Sequence, residues 1–291
     1  VLSIAQQEPQ FTQFWNNYSI YNPAHTASGV ETISFASNYR TRFVDNGTNP
    51  QLGSANYEHS LKKINSGVGL GYVLNEIGLL NSNKIYLNYA YHLPLPKING
   101  SLSVGISTDY QSLKFTPTTG WDWPISSNPI SGNVFNVNFG LLFITEKLKL
   151  GISLTQMNEA VIDKVSFSNP RHLFALASYK FQLTGKIGYT PTGYLKTNFG
   201  AQIFELNNMF DYKKKLFVGV TYRHRDAITF QLGCQLKLYT KSSHPNGSSN
   251  RGTLKRSPDV FKIMYSYDIL TGPLSSYGFN AHEISLIYKI W

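Results

Sequence analysis

The sequence predicts an all-β chain closed into a transmembrane barrel of about fourteen antiparallel strands, and three observations support this. Apolar and polar residues alternate through segments of about 9 to 13 residues, the length at which a tilted strand crosses a bilayer. Charged residues are 14% of the chain and aromatics another 14%, with 19 Tyr and 18 Phe, whereas a typical soluble domain is about 25% charged. No apolar run approaches the ~20 residues of a membrane helix. The closing segment adds a fourth point, because Ile284, Leu286, Tyr288 and Ile290 alternate with Glu283, Ser285 and Lys289 almost to the last residue. An open sheet ending this way would leave an apolar edge of unpaired N–H and C=O groups. Pairing the last strand with the first removes that edge.

Taken in order, the chain reads as one unit, 1–291. Residues 1–5 resemble the tail of a secretory signal, with Ser3 and Ala5 placed like the small residues before a cleavage site; an ordinary apolar start is the alternative. Residues 6–30 form a plug-like segment carrying Phe11, Phe14, Trp15, Tyr18, Tyr21, Asn22 and Pro23. It is too aromatic for a free tail. Its expected place is the periplasmic half of the lumen, with a periplasmic docking peptide as the alternative.

Strands are expected over 31–42, 51–61, 66–76, 83–93, 100–112, 132–144, 147–157, 171–182, 185–197, 200–211, 214–224, 227–239, 258–268 and 280–291. Val68, Leu70, Tyr72 and Leu74 oppose Gly67, Gly69 and Gly71, and Leu102, Val104 and Ile106 oppose Ser103, Gly105 and Ser107. Such alternation gives one face to lipid and one to a small, polar lumen. Strands of a soluble sandwich are nearer 5 or 6 residues.

An even strand count puts both termini on the periplasmic side and the connections after odd-numbered strands outside. The outer loops then include 114–131, 158–170 and 269–279. The basic stretch 239–258 becomes an unusually long inner turn. Outer-loop residues offer a surface for a protein partner: Trp121, Asp122 and Trp123 as a hot-spot cluster or as aromatic belt, with Val161, Ile162, Val165, Phe167 and Tyr277 as apolar neighbours. Parity turns Arg40, Asp268 and Glu283 inward at the outer ends of the first and last two strands. An Arg40–Glu283 pair, with Asp268 beside it, is expected to fix the barrel seam, with separately hydrated charges in a polar lumen as the alternative.

The net charge of +10 is scattered over turns and strand ends, which argues against nucleic acid and for anionic lipid, lipopolysaccharide or an acidic partner. One cysteine, Cys234, leaves no internal disulfide or thiolate metal cluster. "HRD" at 224–226 has Gln231 where a kinase loop needs Asn. "GVGLG" at 67–71 has no helix after it. No His-x-x-x-His, Gly-x-Ser-x-Gly or carboxylate cluster is present, so neither a cofactor nor an enzyme activity is expected.

"QQEPQFTQFWNNYSIYNPAHTASG", "YRTRF", "VTYRHRDAI" and "YSYDILTGPLSSYGFNAHEISLIYKIW" resemble the PorP/SprF family of Bacteroidetes outer-membrane proteins linked to type IX secretion and gliding. The resemblance implies a barrel that works with type IX secretion components and one secreted surface protein, typically an adhesin, through its C-terminal signal domain. It implies binding that supports secretion or cell-surface anchoring, with no bond made or broken. A substrate-specific channel is the alternative, if the lumen is open. The 239–258 stretch looks long for the family, and Trp291 stands on the inward parity.

Overall fold

The computed structural model describes residues 10–29, 31–42, 50–116, 129–162, 167–239, 258–272 and 280–291, with the backbone alone at 42, 161, 162, 167 and 168. Fourteen staves form the barrel: β1 (Ile33–Arg42), β2 (Gln51–Leu61), β3 (Ser66–Ile77), β4 (Leu80–Leu95), β5 (Gly100–Phe115), β6 (Ile130–Thr145), β7 (Leu148–Thr155), β8 (His172–Tyr179, resuming at Phe181–Gln182), β9 (Ile187–Thr197), β10 (Gln202–Tyr212), β11 (Leu216–Arg223), β12 (Ala227–Leu238), β13 (Asp259–Leu270) and β14 (Ala281–Ile290). Each pairs antiparallel with its sequence neighbours, and β1 pairs with β14 from Ile33 opposite Ile290 to Arg42 opposite Ala281. The sheet therefore has no free edge.

The strands fall where alternation places them. The largest difference is in β4, which like β5 and β6 is 16 residues long. Polar residues that read as turn, such as Asn81 and Ser82, pair with Lys114 and Leu113. The β3–β4 turn narrows to Gly78 and Leu79, with Gly78 at φ +58°, a left-handed conformation that suits glycine.

Outward side chains such as Leu70, Leu87, Ile106, Phe135, Val218 and Phe230 are at least half exposed and make the lipid-facing band. The interior is polar, with Ser103, Asn136, Thr221, Thr229, Ser266 and Ser285 fully buried. No described helix is long and apolar enough to cross a membrane, so the strands carry the span. Two ends follow from connectivity: a turn end, where β1 starts and β14 finishes, and a loop end, reached after odd-numbered strands. Of the connection between β7 and β8, Val161–Ile162 pairs with Phe167–Ser168 as a short hairpin. The connection also folds inward, since the buried Asn169 Nδ2 donates to Gln111 Oε1 and Asn136 Oδ1 on the lumen wall.

Candidate functional site: the lumen segment and its latch

The aromatic segment lies in the lumen and runs down its height. At the loop end, Gln10 bonds to Glu205 and its carbonyl accepts from Arg40 Nη1 at 2.6 Å. Near mid-height, Asn16 Nδ2 donates to Ser285 Oγ at 2.9 Å, and Asn56 Nδ2 donates to Ser19 Oγ at 3.3 Å. At the turn end, the Ala27 N–H donates to Glu58 at 2.7 Å, and Glu31 ion-pairs with Lys289. The segment thus occupies both halves of the lumen, not the periplasmic half alone. Gln10 and Ile290 lie at opposite ends of the barrel; residues 1–9, on which the expectation of both termini on the periplasmic side falls, lie outside the described residues.

Each residue of "YNPA" has a physical role. Tyr21 is buried 5.3 Å from Phe174 of β8, and its carbonyl accepts from Ser153 Oγ at 2.7 Å. Asn22 Oδ1 caps the following turn by accepting from the Ala24 N–H at 3.0 Å. Its Nδ2 donates to the carbonyls of Leu141 and Ile152. Pro23 opens the 3₁₀ turn Pro23–His25, where a missing N–H costs nothing. Ala24 packs against Gly105, where any Cβ would overlap its backbone. Gly67, Gly69 and Gly140 are likewise crowded by Thr26, Ala27 or Asn22. The inward glycines are the wall's accommodation to the segment.

Phe11, Phe14, Tyr18 and Tyr21 are almost wholly buried, and Phe14 stacks on Tyr194 of β9 at 4.1 Å. Burying each such ring favours the enclosed state by roughly 1.5–3 kcal/mol. Trp15 is partly buried, edge-on to Phe14 at 4.9 Å.

A buried charge network latches the loop-end part of the segment. Arg40 and Glu283 face each other in register across β1 and β14, but the ion pair forms between Arg40 Nη2 and Asp268 Oδ2, at 2.6 Å. Glu283 is taken by the segment, accepting the N–H of Thr12 at 2.6 Å and that of Gln13 at 2.9 Å, while Asn38 donates to it at 3.2 Å. The expected Arg40–Glu283 pair is therefore replaced by an Arg40–Asp268 pair, because backbone donors fill the glutamate. Asp268 also accepts from Thr12 Oγ1 at 2.9 Å and Thr229 Oγ1 at 2.8 Å. Arg223, fully buried, lies 3.4 Å from Glu205, 2.9 Å from Asp226 and 3.5 Å from Asp268. The sequence reading placed neither Arg223 nor Glu205 in this network. The signal was available, because the two share inward parity and are register partners on β10 and β11.

Of the expected loop surface, Trp121, Asp122, Trp123, Val165 and Tyr277 lie outside the described residues, and Val161, Ile162 and Phe167 are described in backbone only. No group of three or more His, Cys, Asp or Glu that could hold a metal occurs among the described residues.

The family model for the type IX secretion system membrane protein PorP/SprF matches residues 3–288. The chain belongs to the PorP/SprF family. This PorP/SprF barrel is also similar in fold to solved channels. One is the CymD monoaromatic hydrocarbon channel, at 12% identity, TM-score 0.53, covering 94% of this chain and 91% of that one. Another is the Pseudomonas putida toluene transporter TodX, at 8% identity, TM-score 0.52, covering 94% and 92%. At such identities the likeness concerns the fold alone. No curated protein matches the sequence. The PorP/SprF chain is accordingly an outer-membrane barrel and a membrane component of type IX secretion.

Proposed function

We propose that this PorP/SprF barrel is a non-enzymatic binding protein. Its loop end holds the C-terminal signal domain of one type IX-secreted surface protein, supporting that protein's secretion or anchoring. The loop end faces outward in this reading, and β14 finishes at the periplasmic face. The observation that carries it is the lumen segment: aromatic rings and a buried charge latch fill the space a solute would use, which leaves the surface as the working part. Binding would rest on apolar burial at Trp121, Trp123, Val161, Ile162, Val165, Phe167 and Tyr277, with Asp122 at the rim and strand addition as a second contribution.

The test is purification of the chain from its native cells in gentle detergent, with crosslinking and mass spectrometry. Recovery of a large secreted protein crosslinked through its C-terminal domain to 114–131 or 158–170 is the expected result. Recovery of the bare barrel under crosslinking would refute the reading.

A substrate-specific channel is the second reading, favoured by the fold shared with the CymD and TodX channels. It requires the segment to leave. Deleting residues 6–24 creates single-channel conductance in planar bilayers if the segment is a plug. Equal conductance in the intact chain would favour the channel.

A further inference from the structure

Between the segment and the wall at the turn end is a cavity of about 460 Å³, within the roughly 300–1,000 Å³ of small-ligand sites. Lys149 of β7, Lys262 of β13 and Lys289 of β14 line it, together with Glu31 and Glu58. Both carboxylates are engaged. Glu31 pairs with Lys289, and Glu58 accepts from the Ala27 N–H at 2.7 Å and from Asn56 Nδ2 at 3.1 Å.

Lys149 and Lys262 rest on neutral partners instead. The Lys149 ammonium donates to His25 Nε2 at 3.2 Å. Burial, with Lys149 beside it, holds that imidazole well below its usual range, so the ring is uncharged. The Lys262 ammonium donates to Asn16 Oδ1 at 3.2 Å and lies 4.4 Å from the Phe217 ring centre. Neither lysine takes part in any ion pair among the described residues. An ammonium has three donors, so each keeps donors that its neutral acceptor does not use.

The surrounding rim has the same sign. Each short connection at this end carries lysine, consecutively at Lys213–Lys215, and Glu146 is their only carboxylate. A cationic mouth above a low-dielectric cavity concentrates anions.

We propose that this cavity binds small phosphate-bearing anions at Lys149 and Lys262. A compact ammonium binds phosphate as a point charge, without the bidentate geometry that arginine brings to carboxylates. Both lysines face the lumen, so a lipid phosphate would have to leave its leaflet to reach them. A soluble ligand is therefore the expected source.

The test is isothermal titration of the full-length detergent-solubilised barrel with inorganic pyrophosphate. The wild type binds, Lys149→Met and Lys262→Met each lose about tenfold or more in affinity, and Arg171→Met at the loop end, half exposed and paired with Glu159, changes little. Absence of binding to the wild type, or wild-type affinity in either variant, overturns the proposal. Heat-modifiable gel mobility checks folding. Should Lys149→Met fail to fold, Lys262→Gln, which keeps a polar group beside Asn16, decides the matter by the same tenfold criterion. Repeating the titration in nanodiscs with and without phosphatidylglycerol separates the sources: competition by the lipid assigns the site to a headgroup phosphate, and indifference assigns it to a free one.

Discussion

Asp268 shows how much one side chain carries here. Its carboxylate accepts from Arg40, Thr12 and Thr229 and lies 3.5 Å from Arg223. Removing one partner from such a network strands charge where water cannot reach it, at a cost of about 3–5 kcal/mol. Asp268→Asn should therefore lower the urea midpoint of the reconstituted barrel substantially. Arg171→Ala is the contrast, because its pair with Glu159 has both side chains about half exposed. Exposed pairs contribute roughly 0–1 kcal/mol, so that variant should unfold almost with the wild type.

At the scale of elements, the segment and the wall form a matched pair. Gly105 and Gly140 leave room for Ala24 and Asn22, and Gly105→Leu should expel the turn Pro23–His25 from its seat without breaking a ladder. A Ser19→Cys reporter, at a position 2% exposed, checks this: maleimide labelling should be slow in the parent and fast when Gly105→Leu is added. Unchanged labelling would show that the wall yields instead. The strands were legible in the sequence because a period of two is local, and so was the burial of the segment, because its rings demand it. The route of the segment was not. Whether Thr12 and Gln13 meet Glu283 depends on contacts separated by about 270 residues, and no local pattern encodes which acceptor a backbone N–H finds. Parity did bring Arg40, Asp268 and Glu283 to one seam, yet the pairing within it changed once the segment's N–H groups filled Glu283.

Over the whole molecule, the two faces of the sheet have opposite tolerances. Leu70, in the middle of β3, is half exposed on the outward face. Leu70→Arg should cost about 2–4 kcal/mol near the bilayer midplane, read as a lowered urea midpoint in vesicles. Thr108→Arg tests nothing comparable, because Thr108 sits on the same outward face while bonded to the Asn136 carbonyl. The sharper comparison is Gln235→Arg, on the wall of the turn-end cavity, which should be tolerated. The two ends are also unequal: the connections at the turn end are strongly basic, whereas those at the loop end include Asp45, Asp122, Glu159, Asp163 and Asp226.

The latch joins the first described residues to the last strand: Thr12 and Gln13 donate to Glu283 of β14. Chains are made from the N-terminus, so these residues emerge long before their acceptor exists. Phe14 and Tyr21 have no wall ring to pack against until Tyr194 of β9 and Phe174 of β8 have followed, and the lumen that encloses them exists only when the barrel closes. Shutting the ring and seating the segment become a single late event, and a chain that stalls before β14 holds its stickiest rings unshielded, in need of a holdase on the way to the membrane.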